Sequence, residues 1–588
     1  MISVAIVTHN GLEWIDTLLQ PFVLDREGLE ISVVDNASTD GTPDIIEERY
    51  PFVKVTRRPS DLGFGAAYNL LIERVIANPD YQGIFLLNQD ASISADAIRS
   101  LADYSHRHSE VGLLSPKRLS TDGTVERRFS NDQPEPYANH LTEVAYMDSA
   151  LCYLPRPTLL EVGLFCPLFL HGGEDLDYLH RVLSKGLKVG ILPYVTGYHH
   201  RADRPLTTTQ ALQRKQAYHL AQALHPELSP FRRLRRSAIA LLGEAVVAKR
   251  ERRQALLEMV RQIDRMRGAI RLWLDRPALD IGGLTRSLSR TDYAPVLLFV
   301  YNRPRHTRRL LEQLMRQPEI THTPIYIWSD GAKSEEDRTL VQEVRDICQG
   351  YPNVTLHQQP ANRGLANNVI DGVTTIVQRH GRVIVLEDDL ILSPYLLRWF
   401  NDALDRYADA RQIAHLHAGT FYTADALAHN HPLHFAGSWG WATWQDRWEA
   451  LWEPDGKKLL SALEQQPHIK RAFDYGGYMR FTRMLRQQIE GKNNSWAIRW
   501  HASLLLHQKL SVNSQPPLVA NGGFDNSGTH SGGGGRYYTP VSPYPLYAGD
   551  TVPTAQDPAS RDILMRYYRR HNNKLAKGWY KVKELLGR

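Results

Sequence analysis

Three cysteines in 588 residues, Cys152, Cys166 and Cys348, are too few and too unevenly spaced for a disulfide framework or a cysteine-rich zinc site. Their scarcity suits reduced thiols in a cytosol. No window holds the ~18 uninterrupted apolar residues that a membrane span needs. The first apolar run begins at Ile2 with no basic stretch ahead of it, so neither a cleaved export signal nor a membrane helix is expected. Nucleic-acid recognition motifs and aromatic stacking platforms for bases are missing too, which argues against a nucleic-acid partner despite a formal charge of +6. With 42% hydrophobic and 23% charged residues the chain has a globular composition, and its length exceeds that at which one core keeps growing.

What is present is present twice. Val4 to Val7 with Thr8, His9 and Asn10 leads to Val33-Val34-Asp35-Asn36 and then to Ile84 to Leu87 with Asn88-Gln89-Asp90. Later, Val296 to Val300 with Tyr301-Asn302-Arg303 leads to Ile325 to Ser329 with Asp330-Gly331 and to Val383 to Leu386 with Glu387-Asp388-Asp389. Each triplet reads as buried parallel strands ending in acids and amides, where open α/β sheets place their ligand crevice. The expected fold is therefore α/β, with two mostly parallel, Rossmann-like domains: 1–205, a helical extension and connector over 206–290, a second domain over 291–548, and a C-terminal basic amphipathic helix over 549–588.

Several residues could carry chemistry. Asn88 and Asp90 project beyond a strand end, where an amide and a carboxylate two residues apart can hold Mg²⁺ or Mn²⁺ together with a substrate diphosphate. Asp35 ends the second strand, and the Gly63-Phe64-Gly65 turn permits close backbone approach. Glu174, Asp175 and Asp177 crowd into four residues, suited to a helix start or to a general base in a cleft. His199, ending another strand, is a candidate metal ligand. In the second half Glu387-Asp388-Asp389 is denser, and three adjacent carboxylates repel unless a cation joins them. Four tryptophans fall within 439–448, so Trp439 and Trp441, with Trp496, could stack on sugar faces or pack a core.

Taken in order, the segments of residues 1–205 resemble the family-2 glycosyltransferases, in particular the bacterial rhamnosyl- and galactofuranosyltransferase branch with the GT-A fold. The most specific element is Glu174, Asp175, Asp177 and Arg181 in Glu-Asp-x-Asp-x-x-x-Arg spacing. The resemblance implies inverting transfer from a UDP- or dTDP-linked sugar, with Thr8, Asn10, Asp35, Gly63 and Asn88 at the nucleotide-sugar, Asp90 and His199 on the metal, Asp175 as base and Glu174 beside it. Asn88 stands where the family's first metal-motif acid is usual, which lowers the charge there. Residues 294–535 look like a second GT-A transferase, similar in Glu-Asp-Asp to the N-acetylglucosaminyltransferase-I type. That likeness implies nucleotide-sugar contacts at Asn302, Arg303, Asp330 and Asn362, a metal on Asp388, Asp389 and His530, and an acceptor platform of Trp439, Trp441 and Trp496. Where those families carry an aspartate base this chain has Asn494 or Ser495, leaving Asp446 or Asp525 as alternatives.

The expected protein is a bifunctional glycosyltransferase, dependent on Mg²⁺ or Mn²⁺, building a lipid-linked surface glycan such as an O-antigen or capsule precursor. Its alternatives are one active domain with a non-catalytic acceptor-binding partner domain, or a carbohydrate-binding scaffold. Between Arg232 and Arg253 there are eight Lys/Arg against two acids, and the stretch Arg566 to Lys583 is basic and aromatic. Both suit a cytoplasmic protein docked on the anionic inner face of the cytoplasmic membrane.

Overall fold

A computed structural model describes residues 1–126, 140–200, 207–227, 230–420, 430–523 and 539–572. The chain divides into two compact units, Met1–Leu288 and Ser289–Arg588.

The first unit is built on β1 (Ile2–Thr8), β2 (Leu29–Asp35), β3 (Lys54–Arg57), β4 (Gly83–Asn88), β5 (Ala91–Ser92), β6 (Val111–Leu119), β7 (Thr142–Glu143), β8 (Leu151–Pro155) and β9 (Lys188–His199). Their order is β3-β2-β1-β4-β8-β6-β9-β5, with β7 also on β9. The β3-β2-β1-β4 half is parallel, and β1 and β4 are near-continuous apolar runs because helices cover both faces. Val4, Ile6, Val33, Phe85 and Leu87 meet in its core. Residues 207–288 are helical within this unit: Thr208–Ala223 starts from a capping box of Thr207 and Gln210, and Gln216 Nε2 donates to Gln262 Oε1 at 2.8 Å.

In the second unit, β10 (Val296–Val300), β11 (Ile325–Ser329), β12 (Val354–Gln358), β13 (Arg382–Glu387), β14 (Leu390–Leu392), β15 (Ile413–His417), β16 (Asn430–Leu433), β17 (Trp441–Trp444), β18 (Leu510–Ser514) and β19 (Val519–Asn521) repeat the plan. The main sheet runs β12-β11-β10-β13-β17-β15-β18-β16, while β14 pairs with β19. Both units are thus α/β with the same parallel half, as the sequence led us to expect. The helix Pro558–His571 packs on this unit by Leu564 and Tyr568, beside Leu433, Phe435 and Tyr475. Residues 573–588, the rest of the expected basic helix, lie outside the described residues. Among the described residues no helix is long and apolar enough to cross a membrane.

Strand register fixes which residues of the two units correspond. Val7 pairs with Asn88 and Phe299 with Glu387, so Asn88-Gln89-Asp90 matches Glu387-Asp388-Asp389. Thr8 pairs with Asp35 and Val300 with Ser329, so Asp330 matches Asn36. The sequence pattern had set Asp330 against Asp35, one position off. Ala91 pairs with His199 and Leu390 with Asn521, which puts Asn521 in the place of His199.

Candidate active site

The parallel strands of the first unit end on one rim, and the residues there lock each other. Asp35 accepts hydrogen bonds from Thr8 Oγ1 at 3.0 Å, Ser38 Oγ at 2.5 Å and Ser38 N at 3.0 Å. Asn10 Oδ1 accepts from Thr39 N at 2.8 Å. Asn36 Nδ2 donates to Asp61 Oδ1 at 2.5 Å, and the same oxygen accepts from Gly63 N at 2.8 Å. Asp35 is buried and turned inward, so its carboxylate shapes the loop between Thr8 and Ser38. Asn88 Oδ1 is also buried and has no hydrogen-bond partner.

Gly63 begins the helix Phe64–Ala77 at φ +80°, ψ 167°, a conformation open to glycine alone. A Cβ here would lie 2.0 Å from the Leu170 carbonyl oxygen. The glycine makes room for the chain's own loop, which leads into the helix Glu174–Ser184. Its counterpart Gly364, at φ +76°, has nothing within 4 Å of a Cβ. Gly364→Ala is expected to cost backbone strain alone, about 1–3 kcal/mol. Gly63→Ala adds displacement of the Leu170 loop. Thermal unfolding with transfer assays on both variants checks this, and equal losses of activity would contradict it.

The helix Glu174–Ser184 divides its charged residues between two jobs. Arg181 donates through Nε to Asp177 Oδ2 at 3.0 Å, through Nη1 to the Val162 carbonyl at 2.9 Å and through Nη2 to the Leu164 carbonyl at 3.0 Å. It also lies over the ring of Trp273, 5.5 Å from its centroid. Asp177 and Arg181 are buried and hold the helix in place. Glu174 is buried with its Oε2 unpartnered, and Asp175 is partly buried. Burial pushes the Glu174 carboxyl up to about 7, with Asp175 adding to the shift, and burial with the nearby Asp148 carboxylate pushes Asp175 up to about 6. Asp148 is ion-paired to the fully buried Arg118 at the end of β6. Ala150, two residues on, accepts from Asn88 N at 2.9 Å, which links this acidic corner to the strand end bearing Asp90. Arg118 and Asp148 are single residues in segments with no motif, and neither is marked by a sequence pattern.

Asp90 and His199 come together. His199 Nε2 is buried, makes no hydrogen bond and lies 3.4 Å from Asp90 Oδ1. Its Nδ1 faces Glu126 Oε1 at 3.1 Å. Burial alone would lower the His199 pKa, but the Asp90 and Glu126 carboxylates outweigh it and raise it to about 9. The arrangement fits a divalent cation. Metal-binding histidines commonly give their second ring N–H to a carboxylate, which leaves the other nitrogen's lone pair for the ion. Among the described residues no group of three or more His, Cys, Asp or Glu side chains is set to hold a metal. Mg²⁺ typically takes one or two carboxylates and completes its shell with waters and substrate phosphates. Glu126 was missed from the sequence because it stands alone before an unpatterned stretch.

In the second unit Asp330 accepts from Arg363 N at 2.8 Å, Asn362 Nδ2 at 3.0 Å and Gly364 N at 3.0 Å. This is the Asn36–Asp61 clamp with amide and acid exchanged. Asn302 Nδ2 donates to Asp337 Oδ1 at 2.7 Å. Arg303 ion-pairs with both Asp388 and Asp389. Trp441 and Trp496 are buried at 0% and 3% exposure and stack on each other at 5.1 Å, so they belong to the core rather than to an acceptor platform. Of the three, Trp439 alone is partly exposed. Asp446 follows β17, whose Trp444 pairs with Arg382 at the start of β13; it therefore lies at the opposite end of the sheet from Glu387 and cannot serve there as a base. His530 and Asp525 lie outside the described residues.

Two of the curated proteins similar to this chain are bacterial sugar transferases. The abequosyltransferase RfbV of Salmonella typhimurium is 33% identical over 167 residues, 26% of this chain and 48% of that protein, so the match spans about half of the relative. An N-acetylglucosaminyl-diphospho-decaprenol L-rhamnosyltransferase of Mycobacterium tuberculosis is 24% identical over 297 residues, 44% of this chain and 97% of that protein. Among solved structures, S. aureus TarS 1-349 in complex with UDP-GlcNAc aligns at 16% identity and TM-score 0.32, covering 50% of this chain and 94% of that one. GalNAc-T7 with UDP, GalNAc and Mn²⁺ aligns at 14% identity and TM-score 0.34, covering 44% and 54%. Residues 3–149 match the family model of glycosyl transferase family 2.

Proposed function

We propose that the first unit transfers a sugar, with inversion, from a UDP- or dTDP-linked donor such as rhamnose or galactofuranose to a lipid-linked surface glycan. The observation that supports this reading is that one unit holds both a carboxyl with raised proton affinity, Asp175 near Asp148, and the Asp90–His199 pair. The acceptor hydroxyl oxygen attacks the anomeric carbon, its proton passes to Asp175, and the bond from that carbon to the diphosphate oxygen breaks. Raised proton affinity suits Asp175 to take that proton near neutral pH. A divalent cation on Asp90 and His199 would neutralise the leaving diphosphate. The names of both curated relatives, an abequosyl- and a rhamnosyltransferase, support the transfer, and the diphospho-decaprenol in one of them supports the acceptor class.

The second unit, in this reading, receives a second donor and extends the same glycan, close to the product of the first step. A chain with transfer in the first unit only is the second reading, favoured by Asn494 and Ser495 where an acid would be needed. Docking on an anionic membrane belongs to the same proposal.

The test uses the full chain with a panel of UDP- and dTDP-sugars, a polyprenyl-diphosphate-linked sugar as acceptor, and mass spectrometry of the products. Transfer should need Mn²⁺ or Mg²⁺ and fall sharply in Asp90→Asn. Glu126→Gln should weaken Mn²⁺ about 10- to 100-fold. Full metal-dependent transfer by Asp90→Asn would overturn the metal assignment.

A further inference from the structure

We infer that the second unit takes no divalent metal at its acidic strand end, because Arg303 is its built-in cation. The inference rests on reading Asp90 and His199 as the first unit's metal ligands, and it comes from following each part of that site into the matching register position.

Asp389 stands where Asp90 stands, but the position of the imidazole is held by Asn521. Asn521 is a neutral amide whose Oδ1 already accepts from Gly523 N at 2.8 Å, so it offers an ion less than the imidazole does in the first unit. The place of an ion on the two aspartates is filled from β10: the Arg303 guanidinium reaches Asp389 Oδ2 at 3.1 Å through Nη1 and binds Asp388 Oδ1 through Nη2. On the other side the chain closes down. Gly522 N donates to the Asp389 carbonyl at 2.8 Å, and a Cβ on Gly523 would lie 2.5 Å from Asp389 Oδ2. In the first unit the matching bond, His200 N to the Asp90 carbonyl at 2.7 Å, leaves His199 Nε2 beside Asp90. The remaining oxygens, Asp388 Oδ2 and Asp389 Oδ1, are buried and accept no hydrogen bond, so the guanidinium is the charge partner this pair has among the described side chains.

Charge agrees with geometry: the one guanidinium is ion-paired to Asp388 and to Asp389 at once. The fixed guanidinium, with Arg309 Nη2 3.5 Å from the Asp389 carbonyl, puts permanent positive charge at this strand end, available to an anionic ligand without recruitment of a metal.

Mn²⁺ binding to the full-length chain, followed by electron paramagnetic resonance, tests this directly. One ion should bind per chain, and Asp90→Asn should remove it. Asp389→Asn and Asp388→Asn should leave that stoichiometry unchanged. Arg303→Ala should open the second site and raise the count by one, with Asp389→Asn in that background restoring the original number. Loss of an ion in Asp389→Asn with Arg303 intact would overturn the inference, even if Arg303→Ala fails to fold. Failure of Asp90→Asn to change binding would instead count against the reading of the first site.

Discussion

Asp175→Asn is expected to slow sugar transfer by roughly 100- to 10,000-fold, the usual range for loss of a general base. Binding of nucleotide-sugar should stay near its original strength, because the hydrogen-bonded clamp between Thr8 and Gly63, proposed for the nucleotide, does not depend on this carboxylate. Stability should move the other way. Burial raises the folded-state pKa of Asp175 to about 6, so the group contributes stability at low pH that is lost as pH rises through that value. An amide is uncharged throughout, and the variant is expected to be at least as stable as the parent above pH 6. The same shift sets an acid limb near pH 6 in the parent's transfer rate, since the base works deprotonated. Transfer kinetics against pH, paired with calorimetric nucleotide binding, separate these effects. A variant that keeps its rate, or loses rate only through lost donor binding, would remove Asp175 from the chemistry.

Two residues further along the same helix the opposite result is expected. Asp177→Ala leaves Arg181 buried with no carboxylate, and breaking a buried pair of this kind costs roughly 3–5 kcal/mol. Arg181 also ties the helix to the Val162 and Leu164 carbonyls, so the loss should spread to the position of Asp175. Urea denaturation should show the change at any pH where the aspartate is ionised. An unfolding midpoint equal to the parent's would mean that the pair is not holding the helix. One motif thus contains a residue whose loss stops the reaction in a stable protein and another whose loss weakens the protein around an intact base.

That division marks what could be read from the sequence. Apolar runs ending in Asp35, Asn88 and Asp90 announced parallel strands and a ligand-binding rim, because burial of both sheet faces and polar strand ends leave a direct pattern. The roles inside Glu174 to Arg181 were not separable, since spacing on a helix does not say which side faces the Trp273 helix. Glu126, Arg118 and Asp148 reach the rim through long-range pairing of β6, β8 and β9, and such pairing leaves no local trace. Aromatic density near Trp439 suited a sugar platform and a core equally; the burial of Trp441, Trp448, Trp496 and Trp500 decides for the core. His530 was placed by its distance along the chain and lies outside the described residues; strand register puts Asn521 where His199 stands in the first unit, a correspondence that only the pairing of distant strands reveals.

The exchanged clamp has a consequence for how this gene can change. Asn36 with Asp61, and Asp330 with Asn362, each join one donor amide to one acceptor carboxylate. Repeated coding segments invite unequal crossover, and a recombinant joined between the second strand and the glycine turn would inherit one member from each half. One product would set Asp330 against Asp61, two carboxylates a hydrogen bond apart; the other would set Asn36 against Asn362 and leave the turn's amide groups with neutral acceptors only. Both recombinants weaken the turn that opens the following helix. The halves share an architecture and still cannot trade these parts freely.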